Sequence, residues 1–295
     1  MKEVSLGSRS TAGAAPEGRS RGNSSRAFGS LAGTWLSKRR ILPCLLPLIL
    51  FICWNLATSS GLAPEYLLPS PRTVWETVCA YMGAVSEGYA DAYAGRFWGD
   101  LSASLGRVGS GYLLAVIPGV ALGLASGRSP ALASLLSPII NGVRAVPGIS
   151  WLPLALLWLG IGFRATVFLI ALAGFFPAYL NAAAGAASVP PVLIRAGRML
   201  GFGRRAIFFR VVIPSAMPQV RTGLRVALGM SFSYLVLGEL TGVPDGLGAM
   251  IMDARLAGRV ELLVSGIILI ALVGWLCDVL LMRALSAVSV SLRRQ

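Results

Sequence analysis

Long apolar runs separated by short polar segments dominate the chain. A membrane-spanning helix takes about 20 predominantly apolar residues. Six runs meet that length, at residues 41–60, 101–126, 131–159, 164–186, 212–238 and 262–282. The first follows Lys38-Arg39-Arg40, a form shared with signal peptides. Its length, and the lack of an Ala-x-Ala site after it, favour a retained helix. The third carries Pro138, Pro147 and Pro153 and cannot be one straight helix. Broken backbone at membrane depth must line a cavity or be covered by protein, or its freed polar groups stay unpaired in lipid. Gly119, Gly123 and Gly127 recur every four residues in the second run and its end, a face suited to close helix contact. Between the first two runs, Ser70-Pro71 reads as an N-cap followed by proline at the first helical position. Val74, Trp75, Val78, Tyr81, Met82 and Val85 then recur at helical spacing. This predicts an amphipathic helix lying on the membrane or packed on the bundle.

Composition agrees with the pattern. Apolar residues are 55% of the 295, charged residues only 13%, and mean hydropathy is +0.73. Disorder needs the opposite balance, and a soluble domain of this size could not bury so much apolar surface. The fold class expected is therefore an all-α membrane protein of six transmembrane helices. Residues 1–40, rich in Ser, Gly, Ala and Arg, read as a disordered basic tail, and 41–295 as the transmembrane domain.

The net charge of +14 could suggest nucleic acid, but its placement argues otherwise. With the N-terminus inside and the spans alternating, seventeen basic residues fall in inner segments. These are eight in the tail, Arg128, Arg195, Arg198, Arg204, Arg205, Arg210, Arg283, Arg293 and Arg294. Five fall outside: Arg72, Arg96, Arg164, Arg255 and Arg259. That asymmetry is the positive-inside signal of a multi-pass inner-membrane protein with both termini cytoplasmic, and nucleic acid is not expected as a partner. The chain has no histidine, which excludes histidine-based acid–base chemistry and histidine metal ligation. Its four cysteines show no ligand spacing. No nucleophile–base pair is evident, so no catalytic residue, metal or cofactor is expected.

One inner loop, residues 190–214, is unlike the others. It reads PPVLIRAGRMLGFGRRAIFFRVVIP. Pro191 can open a short helix, with Val192, Ala196, Met199 and Leu200 as an apolar stripe. Gly201-Phe202-Gly203 supplies a turn. A second amphipathic piece runs from Arg204 to Val212, and Pro214 and Pro218 mark entry to the next span. Such a short helix between two spans is either an ordinary basic loop at the headgroups or a handle by which a partner tilts the spans.

The loop resembles the EAA loop of ABC importer permeases, whose pattern is Glu-Ala-Ala, three residues, Gly, nine residues, Ile-x-Leu-Pro. Here the pattern is Arg195-Ala196-Gly197, then Gly201, then Val211-Val212-Ile213-Pro214. Leu68-Pro69-Ser70-Pro71, Ser104-Leu105-Gly106-Arg107-Val108, Arg144-Ala145-Val146-Pro147, Pro153-Leu154 and Leu157 to Gly162 resemble the nitrate/sulfonate/taurine branch. So do Gly223-Leu224-Arg225 and Gly246-Leu247-Gly248. The resemblance implies a MetI-like type I importer fold and a dimer of permease subunits, here expected to be a homodimer in the lipid bilayer. It implies a cytoplasmic ABC ATPase dimer gripping Arg195, Ala196, Gly197, Gly201, Val211, Ile213 and Pro214. It also implies a periplasmic or lipid-anchored binding protein. The chain itself is not expected to be an enzyme. A P-loop needs Gly-Lys-Ser/Thr, and neither Lys2 nor Lys38 follows glycine. Arg195 departs from the family's Glu and Gly197 from its second Ala, and an arginine in the first turn of a helix is disfavoured by the dipole.

The cargo implied is a small anion such as an alkanesulfonate, taurine or nitrate. The alternatives are a pyrimidine vitamin precursor on the same machinery, or an ion-gradient-driven secondary transporter. The latter usually shows repeated halves and intramembrane carboxylates. A membrane scaffold would leave the EAA spacing unexplained. Candidate pathway residues are Arg144, beside the break at Pro147, Trp158, Asn181 and Glu239. Arg144 could instead pair structurally, Trp158 anchor in the aromatic belt, Asn181 bond between helices and Glu239 serve an interface. Arg107, Arg221 and Arg225 are expected to snorkel or to bind backbone carbonyls, and Asp278 to pair with an arginine.

Overall fold

A computed structural model describes residues 45–61, 64–83 and 93–293, all helices and connecting turns. The tail at 1–40, Cys44 and Val85 lie outside the described residues. The chain divides into two units, Met1–Leu56 and Ala57–Gln295. Helix α1, Leu45–Ser59, is apolar and carries exposed leucines and isoleucines.

In the larger unit the order is α2 (Pro71–Met82), α3 (Phe97–Ser126), α4 (Pro130–Ala145), a 3₁₀ turn (Gly148–Trp151), α5 (Leu152–Leu159) and α6 (Phe163–Ala187). There follow α7 (Pro191–Met199), α8 (Arg204–Ile207), a π-helical turn (Phe208–Val212), α9 (Ile213–Glu239), α10 (Leu247–Leu256) and α11 (Val260–Arg293). Among the described residues, α3, α6 and α11 are long and apolar enough to cross a bilayer. The pair α4 and 3₁₀–α5 makes a fourth span if taken together, bent by 87° at its break. The bend falls where the prolines predict. Val146, the residue before Pro147, is extended, because the proline ring excludes the helical conformation there. At 27 residues α9 is as long as a span, but it carries Arg221 and Arg225. Short helix α10 was not foreseen; glycines with positive φ, Gly246 and Gly258, bracket it. Helix α11 continues to Arg293, beyond the apolar stretch that ends at 282.

Helix α6 packs between α3 and α9, and small residues set the spacing. A Cβ on Gly123 would lie 2.5 Å from the Tyr179 carbonyl oxygen, and one on Gly119 3.1 Å from that of Phe175. On the other side Gly223 faces Asn181 and Pro177, and Gly238 faces Thr166. In lipid, where burial supplies little drive, close backbone approach is the main source of helix association. Helix α2 begins as expected. Ser70 accepts from the Thr73 N–H at 3.2 Å, with Pro71 at the first position. It packs on the bundle through Val78 and Tyr81, which join Leu247, Met250 and Leu262 in one core, while Trp75 stays exposed.

Candidate functional site

Three arrangements stand out, and all three lie along α9. The first is the loop before it. Val189 and Ile194 anchor α7 to the bundle by packing with Ile207, Val212 and Ala186. Gly197 faces Ile207, and its Cβ would meet that side chain at 3.4 Å, so the alanine of the family pattern would fit there. The turn after α7 closes through Phe202 N–H to the Gly197 carbonyl (3.0 Å) and Gly201 N–H to the Arg198 carbonyl (3.0 Å). Gly201 takes φ +78° with no atom within 4 Å of its Cβ position, a conformation that side-chain-bearing residues resist. The stripe foreseen as apolar is not packed on the chain. Met199 is 89% exposed and Leu200 73%, and Val192, Arg195 and Ala196 are exposed beside them.

The second amphipathic piece, from Arg204 to Val212, is helical and runs without a break into α9. Pro214 has no N–H and its ring would crowd the carbonyl four residues back. The π turn relieves this, with Ile213 N–H reaching the Phe208 carbonyl five residues back. Arg210 lies over the Phe202 ring, 5.6 Å from its centre, tying the turn to this segment.

The second arrangement is a cavity of about 260 Å³ at the break after α4. Arg144 in the last turn of α4, Pro147 and Trp151 line one side; Phe176 of α6 and Met230 and Tyr234 of α9 line another. A guanidinium near a helix C-terminus is favoured by the dipole. A Cβ on Gly148 would collide with the Tyr234 hydroxyl, so only glycine lets that phenol reach the turn. The result is an apolar, aromatic chamber with one cation and one hydroxyl. Trp158 does not join it: it is 63% exposed on α5. Asn181 is also elsewhere. Its Nδ2 donates to the Pro177 carbonyl at 2.9 Å, a bond within α6 rather than between helices.

The third arrangement, at the far end of α9, holds Glu239 and corrects one expectation. Arg107 neither snorkels nor binds carbonyls alone. It is 4% exposed and donates through Nη1 to Glu239 Oε1 at 2.7 Å, while Nη2 pairs with the Asp245 carboxylate. It also donates to the Asp245 carbonyl at 2.9 Å. Glu239 is 0% exposed and further accepts from Ser104 Oγ (2.8 Å) and the Gly248 N–H (2.8 Å). Leu247 N–H donates to Ser104 Oγ, and Gly246 N–H to Asp100 Oδ1. Tyr81 donates to Asp100 Oδ2 at 2.7 Å. Burial first, and then the Asp100 carboxylate, hold the Tyr81 hydroxyl well above the usual phenol range, so it stays a donor. The first turn of α10 thus finds acceptors for its orphan N–H groups in α3 and α9. Side chains at 246 and 248 would strike Glu239, its Oε1 lying 2.5 Å from the Cβ position of Gly246 and its Cβ 2.8 Å from that of Gly248. Sequence reasoning missed Asp100, Ser104 and Asp245. The signal of the first two was the polar series Asp100, Ser104, Arg107 at helical spacing at the start of an apolar run, whereas Asp245, between α9 and α10, had none.

Arg221 donates to the Leu285 carbonyl (2.8 Å), as expected. Arg225 instead holds Asp278 by two bonds of 2.9 and 2.8 Å, the pairing expected of that acid.

Residues 119–294 match the family of binding-protein-dependent transport system inner membrane components. The chain is 38% identical to the taurine transport system permease protein TauC of Escherichia coli, over 79% of this chain and 82% of that protein. It is 33% identical to the bicarbonate transport system permease protein CmpB of Synechocystis, over 86% of this chain and 91% of that one. Among solved structures, an inward-facing MetNI methionine ABC transporter superposes with a TM-score of 0.52 at 20% identity, over 65% of this chain and 93% of that one, a likeness of fold.

Proposed function

Because the chain belongs to the binding-protein-dependent transport system inner membrane component family, of the ABC importer permease type, we propose that it forms the translocation pathway for a small anion, with an alkanesulfonate or taurine the favoured cargo and nitrate a further one. A separate cytoplasmic ABC ATPase drives it, a binding protein delivers the cargo to the outer face, and a second copy completes the pathway. One observation carries this reading. An exposed apolar knob on α7, anchored by Val189 and Ile194, connects through the tight turn at Gly201 to α8, which continues as unbroken helix into α9, whose Met230 and Tyr234 line the Arg144 cavity. Force applied to Arg195, Ala196, Gly197 and Gly201 passes through Val211, Ile213 and Pro214 to the cavity wall. The taurine permease, as the relative of higher identity of the two, favours a sulfonate.

The cavity fits such a cargo chemically. A sulfonate or nitrate oxygen accepts from a guanidinium, and a short organic tail suits Trp151 and Phe176. The test is uptake of labelled taurine, an alkanesulfonate and nitrate by vesicles holding the permease, its ATPase and its binding protein. Arg144→Ala is expected to lower uptake at least tenfold, about the value of one charge-assisted hydrogen bond, and Arg144→Lys to restore part of it. ATPase co-purification should stay intact in both. Full uptake by Arg144→Ala overturns the pathway role, and no uptake of any of the three anions by the parent overturns the anion reading.

A further inference from the structure

A second cluster of cations lies away from the Arg144 cavity. Arg128 after α3, Arg198 in the last turn of α7 and Arg204 at the start of α8 line a pocket of about 300 Å³ with Ile194, Ile207 and Phe208. Among the described residues none of the three arginines has a carboxylate partner. Like charges gathered without an anion repel one another. Phe208 also lines a larger groove of about 640 Å³ between α3 and α9, walled by apolar side chains including Val120, Leu124, Met217 and Leu224. The two meet along one edge. Ala125 of the groove and Arg128 of the pocket lie one helical turn apart, and Ile213 of the groove follows Val212 of the pocket.

The groove has the length of one leaflet. Along α9 it reaches from Ile213 to Leu224; at a rise of about 1.5 Å per residue that is about 16 Å, half of a hydrocarbon core of about 30 Å. Free phosphate would explain the arginines but not the groove, and a neutral lipid the groove but not the arginines. We propose that this is a binding site for an anionic phospholipid, its phosphate among Arg128, Arg198 and Arg204 and an acyl chain in the groove beyond Phe208. Basic pockets between membrane helices take anionic headgroups in this way. The site rests on the functional reading in one respect only, that the α7 end faces the cytoplasm, which makes the lipid one of the inner leaflet. Its position beside α7 puts the lipid against the coupling segment.

The test is native mass spectrometry of the full-length protein in detergent, titrated with phosphatidylglycerol, with phosphatidylcholine of the same chains, and with inorganic phosphate. One phosphatidylglycerol per chain is expected, held at least tenfold more tightly than phosphatidylcholine, each arginine being worth roughly fivefold at an anionic headgroup. Arg128→Gln/Arg198→Gln/Arg204→Gln should bring the two lipids to equal affinity. Ile117→Trp, on an exposed groove residue, should weaken both and leave their ratio intact. Retained preference in the triple variant overturns the proposal. So does displacement of the lipid by phosphate at millimolar concentration, which makes the site a free-anion site, or its loss on assembly with the ATPase, which assigns the arginines to a protein interface. Lipid binding needs no transport, so it can succeed or fail independently of uptake. Labelling of Arg128→Cys, in a cysteine-free background, by an impermeant maleimide in inside-out but not right-side-out vesicles tests the cytoplasmic reading by itself.

Discussion

At the residue scale, the buried Arg107–Glu239 pair has the clearest energetic consequences. Both groups lie out of water, and desolvation offsets much of their attraction, so the pair is not a large net gain. Breaking it is another matter, since Arg107 stays buried with only the half-exposed Asp245 carboxylate as its counter-charge. Glu239 also accepts the Gly248 N–H and the Ser104 hydroxyl, so its loss orphans two further donors. Glu239→Leu is therefore expected to destabilise the protein by about 3–5 kcal/mol, read as an earlier unfolding midpoint in detergent. Glu239→Gln keeps the shape and one carbonyl acceptor, and leaves Arg107 its Asp245 partner. It should fall between Glu239→Leu and the parent. Equal midpoints for Glu239→Leu and the parent would remove the pair from any account of how α3, α9 and α10 are held.

At the scale of elements, α7 poses a question that its own physics does not answer. Arg195 is not in the first turn of α7, where the sequence pattern puts it, but is the fifth of its nine residues, beyond the turn within which the dipole acts, so the helix by itself favours neither the family's Glu nor the arginine. The reason for arginine is to be sought in what faces it. We expect an acidic residue in the ATPase groove. Arg195→Glu should then cut ATPase co-purification at least tenfold, and a matching acid-to-arginine change in the ATPase should restore it. Assembly of Arg195→Glu equal to or better than the parent's would sink the acidic groove. The elements differ in how far they could be read from sequence. Apolar runs, the Gly119-Gly123-Gly127 face and the Ser70 cap were legible, because hydropathy, small-residue period and capping are local signals. The break at Pro147 was legible for the same reason. The Arg107 network was not, since whether an arginine snorkels or is buried depends on Glu239 and Asp245, more than 130 positions away. The cavity was legible only in Arg144 and Pro147. Tyr234 and Phe176 looked like any aromatics in apolar helices until packing brought them to the bend.

At the scale of the whole molecule, α9 is the member that connects the parts. Its 27 residues span about 40 Å. One end continues from the α7–α8 turn, its middle walls the Arg144 cavity, and its last residue is Glu239, held by α3 and α10. A lever fixed at one end and gripped at the other must move most where it is gripped, and the cavity lies between the two. The grip can be tested without disturbing the lever. Apart from its chain neighbours, nothing lies within 4 Å of a Cβ built on Gly201, so a side chain can leave the backbone there without a clash at its first atom. Its backbone cost is the positive φ, on the order of 1 kcal/mol. Gly201→Trp should therefore give a protein that unfolds within a few degrees of the parent, yet neither co-purifies with the ATPase nor supports uptake. Gly201→Ala has the same backbone strain without the bulk and should keep most of both. If Gly201→Trp assembles and transports as the parent does, the knob at Met199 and Leu200 is not where the engine engages, and the continuity of α8 with α9 has some other purpose.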